Sequence, residues 1–291
     1  VSKELSVKIT LDGQPLNYTL EGEQNLYQVL ASIAQWLRPQ KAEITHLSLN
    51  GKPIDHWDQK EFENIPIKEI DQLDITTATE TEQEFNELEI LLHYFYVLKN
   101  ALEGKQHNSL MEILKEYHHV QPPLEHYLRS VFMTEGSARF PIQGVPTKEE
   151  EWKQAEQFVQ RIVSLLESRL YEITHPYEAC EALIPILEQT KQEIEHTSVL
   201  LQTGRDREAI RNVLSFIEIL SKSLRILARL RSSDIRVQEI HKTLSQPLKE
   251  LNEAFLHRDS VLIGDLLEYE IAPKLEELRT LLSMTLTERT S

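Results

Sequence analysis

Glycine is scarce in this sequence, with 8 residues in 291. Phosphate-cradling loops and turn-dense β proteins depend on glycine, whereas long helices avoid it for entropic reasons. Cysteine occurs once, at Cys180, which excludes an intramolecular disulfide and any cysteine-rich zinc site. No apolar run approaches the roughly 20 residues that a membrane-spanning helix requires. Gly-rich phosphate loops, GxSxG and HExxH are all missing, so the familiar catalytic signatures give no foothold. Positive charge is in the minority, 31 Lys and Arg against 47 Asp and Glu. The formal charge of −16 repels phosphate backbones, and nucleic acid is not an expected partner.

What is present changes character along the chain. Leu5, Val7, Ile9 and Leu11 alternate as in a strand, Asp12-Gly13 is a turn pair, and Leu16–Leu20 reads as the return strand. Leu26, Val29, Leu30, Ile33 and Leu37 then share one face of an amphipathic helix that Pro39 ends. Ile44, Leu47 and Leu49 lead into a second hairpin signal at Asn50-Gly51, and Ile70, Leu73 and Ile75 close the region. By this element order, and by the hairpin sequence LNGKPI (Leu49–Ile54), residues 4–76 resemble the ubiquitin-like β-grasp family. The resemblance implies a β-grasp fold serving to dock a partner or to cap the helical part. A role as a conjugated modifier would need a diglycine tail, and ITTATETEQE (Ile75–Glu84) has none.

The polar stretch Thr76–Glu84 reads as a linker, giving a β-grasp domain over 1–79 and a helical domain over 80–291. The predicted fold class is therefore α+β, with the sheet domain followed by a mainly antiparallel helical bundle containing hairpin repeats. Short helices fill 85–133, with Pro122-Pro123 as a break, and long antiparallel helices fill 148–287. Helix starts are marked by Thr147 with Glu150 as a capping box, by Pro176 with Glu178 in the first turn, and by Asp206, Ser233 and Asp259 as caps. One phrase recurs at these turns. On a shared Arg-Asp, Arg205-Asp206 matches Arg258-Asp259, Ile210 matches Ile263, Leu214 matches Leu267, and Phe216 falls on Tyr269. A fainter echo runs through Gly104, Leu110, Leu114 and Tyr117. Equivalent core positions in stacked helical hairpins are expected from the match. Leu262–Leu278 also resembles closing segments of bacterial proteins with no assigned function.

Three Glu-x-x-His pairs invite a di-metal reading: Glu116/His119, Glu172/His175 and Glu193/His196. About 1.4 such pairs arise by chance at this composition, and helical phase turns two of them away from the apolar face. Glu172/His175 is ambiguous in phase. No metal ligand, catalytic residue or cofactor is assigned. Cys180 falls in phase with Ile184 and Leu187 and reads as a buried thiol. His93–Tyr96 reads as core filling or, alternatively, as part of a partner groove.

Charge reverses locally in Thr203–Arg236, where eight Lys and Arg face four Asp and Glu. Arg205, Arg207, Arg211, Lys222, Arg225 and Arg229 are the candidate partner-binding residues; pairing with acidic neighbouring helices is the competing reading. The expected function is a non-enzymatic interaction protein (adaptor, chaperone or assembly factor) whose partner is an amphipathic helix or an acidic surface. An enzyme with a metal-carboxylate site and a structural homodimerisation module are the alternatives. The chain opens at Val1, which leaves a trimmed signal peptide open, and a cytoplasmic location is expected.

Overall fold

A computed structural model describes residues 7–18, 22–54, 56, 58–134, 142, 144–231, 234–257 and 259–289. The chain divides into two compact units, Val1–Leu88 and Glu89–Ser291.

The first unit is a mixed five-stranded sheet. Its strands are β1 (Lys8–Leu11), β2 (Gln14–Pro15), β3 (Ala42–Leu49), β4 (Lys52–Pro53) and β5 (Gln72–Thr79), in the order β2-β1-β5-β3-β4. β1 runs parallel to β5, and the other pairs are antiparallel. Between β2 and β3 lies α1 (Leu26–Leu37), capped by Asn25, whose side chain accepts from the Gln28 N–H at 3.0 Å. All five α1 residues expected on the apolar face are buried, with Ile9, Leu47, Leu73 and Ile75 in the same core. Asn50 (φ 51°) and Gly51 (φ 77°) make the β3–β4 turn, where two successive left-handed residues suit Asn-Gly. Of the expected return strand over Leu16–Leu20, only its start is paired: β2 covers Gln14–Pro15, the Leu16 N–H adds a bond to the Ile9 carbonyl at 2.8 Å, and Asn17 and Tyr18 lie outside the strand. Thr19 and Leu20 lie outside the described residues. A short helix absent from the sequence reading, α2 (Gln59–Glu63), buries Phe62 in this core.

The expected linker is also absent. Thr76–Thr79 complete β5, and α3 (Glu80–Glu103) starts at the next residue. The cause is local: Glu82 Oε2 accepts from the Thr79 N–H and hydroxyl, both at 2.8 Å, and Thr79 Oγ1 accepts from the Glu82 N–H at 3.2 Å. This reciprocal capping box starts a helix where polarity alone suggested a tether.

In the second unit, Leu91, Phe95, Leu98 and Leu102 form the buried stripe of α3. α4 (His107–Lys115) and α5 (Tyr117–Thr134) follow. The break between them falls at Glu116, and Pro122-Pro123 are accommodated inside α5. The donors these prolines lack would have served the carbonyls of His118 and His119, which are exposed residues. Four long helices then run α6 (Glu149–Thr174), α7 (Pro176–Gln202), α8 (Asp206–Leu230) and α9 (Ile235–His257). They are followed by α10 (Ser260–Asp265), a π-helical turn over Leu266–Ile271, and α11 (Ala272–Arg289). The connections are short, so successive long helices reverse direction, and α7 packs against α8, α10 and α11. One apolar core joins α7 through α11, with Cys180, Phe216, Leu244, Leu267 and Leu282 among its members. Gly264 lets α10 approach α7 closely, since a Cβ there would stand 2.8 Å from Ser198 Cβ.

Several caps differ from expectation. Glu151, not Glu150, closes the box at the start of α6, accepting from the Thr147 and Lys148 N–H groups at 2.8 and 3.2 Å. Asp206 is the first residue of α8 rather than its cap, and the capping position, Arg205, makes no side-chain cap bond. Asp259 does cap α10, accepting from the Leu262 N–H at 3.0 Å. Ser233 and Arg258 lie outside the described residues.

The repeated phrase does not mark equivalent core positions. Ile210 is 46% exposed whereas Ile263 is buried; Phe216 is buried whereas Tyr269 is 66% exposed. Leu267 is fully buried but Leu214 only partly. α8 buries Ala209, Val213, Phe216 and Leu220. The second copy passes through the π turn, which advances the helical phase by an extra residue. Pro273 follows that turn. It cannot donate to the Tyr269 carbonyl and its ring would crowd it, and a widened turn relieves both conflicts. The upstream echo fails similarly, because its left-handed residue is Lys105 (φ 46°), not Gly104.

Truncation should separate the two copies. Leu267→Ala is expected to cost about 2–5 kcal/mol, and Ile210→Ala and Tyr269→Ala should leave chemical-denaturation midpoints nearly unchanged. Asp259→Ala should cost about 0.5–2 kcal/mol as a lost cap, with Asp206→Ala well below it.

Candidate functional site

The six candidate cations divide into two groups along α8. The first lies at the end of the α7–α8 hairpin. Gly204 (φ 74°) turns the chain, and Asn212 ties the two helices by donating to the Glu193 carbonyl at 3.2 Å and to Thr197 Oγ1 at 3.4 Å. Arg205 is held by Glu208 within its own turn. Arg207 and Arg211 are exposed and make no ion pair among the described residues. Ile210, beside them on α8, is 46% exposed, and Val199, at the same end of the hairpin, is 45% exposed.

The second group surrounds a buried carboxylate. Glu172, in the last turn of α6, is 3% exposed. Arg225 donates to it through Nε at 3.1 Å and Nη2 at 3.2 Å, a forked contact on both oxygens. Lys222 Nζ stands 3.6 Å from Oε1 and also donates to Ser168 Oγ at 3.1 Å. Arg169 Nη1 lies 3.6 Å from Oε2, and the Arg169 guanidinium sits over the Tyr127 ring of α5 at 5.8 Å. Lys222 and Arg225 thus pair with a neighbouring helix, the competing reading for those two residues. Arg229 contributes its charge to the same carboxylate. Burial pushes the Glu172 carboxyl up to about 7, against the opposing pull of Lys222, Arg169 and Arg229.

The signal for this site was present but faint. Ala155, Val159, Ile162 and Leu166 are buried, and continuing their spacing carries Arg169 and Glu172 toward the same side of α6. A carboxylate entering an apolar register, opposite a basic helix, was the clue. Of the Glu-x-x-His pairs, Glu116 and His119 are exposed as phase predicted, Glu193 is half-buried with His196 exposed, and Glu172 is buried while His175 is exposed. Among the described residues no three His, Cys, Asp or Glu side chains converge. Cys180 is buried, its Sγ 3.6 Å from the Leu282 carbonyl, and burial pushes the thiol up to about 11. In the His93–Tyr96 stretch, Phe95 is core, Tyr94 donates to the Ile113 carbonyl at 3.0 Å, and Tyr96 reaches Glu167. A groove of about 830 Å³ between α9 and α11 has Ile240 and Leu281 among its lining, with charges of both signs beside them.

Residues 7–79 match the family model described as the TP0873 N-terminal domain, and residues 178–281 match a domain of unknown function, DUF8042. No curated protein and no solved structure matches the chain. The second match spans α8 but begins after α6, so it includes Lys222 and Arg225 and leaves out Glu172. No described helix is long and apolar enough to cross a membrane.

The Glu172 carboxyl makes stability depend on pH. Its ordinary value is 4.5, so between about 4.5 and about 7 the folded chain holds a proton that the unfolded chain has released. Stability from this group is full below that window and declines as pH rises through it, by about 3 kcal/mol at most. Glu172→Gln should flatten this decline in denaturation midpoints measured across the window, and an unchanged slope would mean the proton is held elsewhere.

Proposed function

We propose that the chain is a non-enzymatic interaction protein in which a β-grasp docking unit precedes a helical bundle, and α8 of the bundle receives an acidic, amphipathic partner segment. The β-grasp assignment rests on the strand order β2-β1-β5-β3-β4, the parallel β1–β5 pair and the packing of α1 residues into the sheet core. The observation that carries the partner reading is the exposed Arg207-Ile210-Arg211 surface at the hairpin end. There, an exposed apolar side chain lies beside two exposed guanidinium groups, neither of which makes a close ion pair among the described residues. A helix with one apolar stripe and flanking carboxylates would cover Ile210 and pair with both arginines. A cytoplasmic setting belongs to the same proposal.

The test is a paired capture from native extract with the wild-type chain and an Arg207→Ser/Arg211→Ser double variant. Both positions are exposed, so circular dichroism and thermal midpoint should stay unchanged. Proteins retained by the wild type and lost by the variant are the expected result. Identical retention by both would overturn the reading.

A further inference from the structure

Two cations of one helix converge on the Glu172 carboxylate: Lys222 and Arg225 of α8 come within 3.6 and 3.0 Å of it. Lys222 and Arg225 also differ from Glu172 in access, with about a quarter and a third of their side chains exposed. They reach from solvent down to the buried group. Arg225 commits Nε and Nη2 to Glu172, leaving Nη1 without a hydrogen bond among the described residues. Lys222 directs Nζ at Ser168 and Glu172, which leaves one of its three donors over.

We propose that Lys222 and Arg225 form a docking point for a carboxylate of the acidic partner, and that Glu172 is an internal anion competing for them, so that protonating Glu172 opens the point. The inference rests on the reading that α8 receives an acidic partner. Among the described residues, the charged and titratable groups facing Glu172 are Arg169 on α6 and Lys222, Arg225 and Arg229 on α8, with Tyr127 of α5 against Arg169. No described carboxylate other than Glu172 pairs with Lys222 or Arg225. An arriving carboxylate and an ionised Glu172 therefore repel across the same two cations, and a neutral Glu172 removes that repulsion. Linkage makes the effect reciprocal: docking takes up a proton at Glu172 in the window where it titrates.

The probe is a rhodamine-labelled oligoglutamate peptide, fully ionised across the range used, titrated against the full chain at low ionic strength and read by fluorescence anisotropy. Wild type should bind it about fivefold or more tightly at about pH 6 than at about pH 8. Glu172→Gln should bind at the higher pH as wild type does at the lower, with most of the pH dependence gone. Residual dependence in that variant measures the histidines. Because Glu172→Gln removes the anion these cations share and could unfold the site, Lys222→Gln, which keeps the forked Arg225–Glu172 contact, supplies a second arm. It should lose much of the pH-dependent component while its helical content stays intact. Calorimetry near neutral pH in two buffers of different ionisation enthalpy should show proton uptake on binding. Full pH dependence in folded Glu172→Gln, or no binding by wild type at either pH, would overturn the proposal. Binding abolished by Arg207→Ser/Arg211→Ser but indifferent to Lys222→Gln would overturn it while leaving the α8 partner reading intact.

Discussion

The packing of α8 against α7 and α11 fixes most of what this chain can present to a partner. Val213, Phe216, Leu220 and Leu227 enter the core shared with Cys180, Leu183 and Leu282, and the rotational phase of α8 follows from that burial. Once the phase is set, the cations have no freedom of face. Arg207 and Arg211 emerge to solvent near the Gly204 turn, and Lys222 and Arg225 meet the end of α6. Glu172 is tolerated in a nearly closed site only because those cations are delivered to it. Burial of a carboxylate costs several kcal/mol without such partners.

The parts of the fold legible in the sequence are those whose signals are local and redundant. In the first unit, alternation, two turn pairs and one amphipathic stripe all pointed to the same arrangement, and the five α1 core residues are buried as their spacing requires. The long helices were legible for a similar reason: Pro176 with Glu178, and Asp259, mark real starts. Errors arose where one signal stood alone. Polarity made Thr76–Glu84 look like a tether, yet Thr79 and Glu82 carry the reciprocal side chains of a helix start. The prolines at 122 and 123 looked like a terminator, but the chain had already broken at Glu116.

The repeated phrase shows the limit of reading phase from sequence. Its two copies share residue types but not environments: Ile210 and Ile263 already differ in burial within regular helix, and from Leu266 the second copy crosses a π turn ahead of Pro273. A single extra residue per turn moves every later side chain around the axis. The candidate site met the same limit. Basic residues on α8 were evident from composition, but pairing two of them with Glu172 depends on α6 and α8 meeting in space, across a separation of 53 residues.

The buried thiol turns the core into its own reporter. Cys180 is the only cysteine in the chain, and its sulfur faces the Leu282 carbonyl of α11. A thiol-reactive reagent reaches it only when the core shared by α7 through α11 opens. Alkylation rate against denaturant concentration therefore reports the opening of that core, with no residue added to the chain.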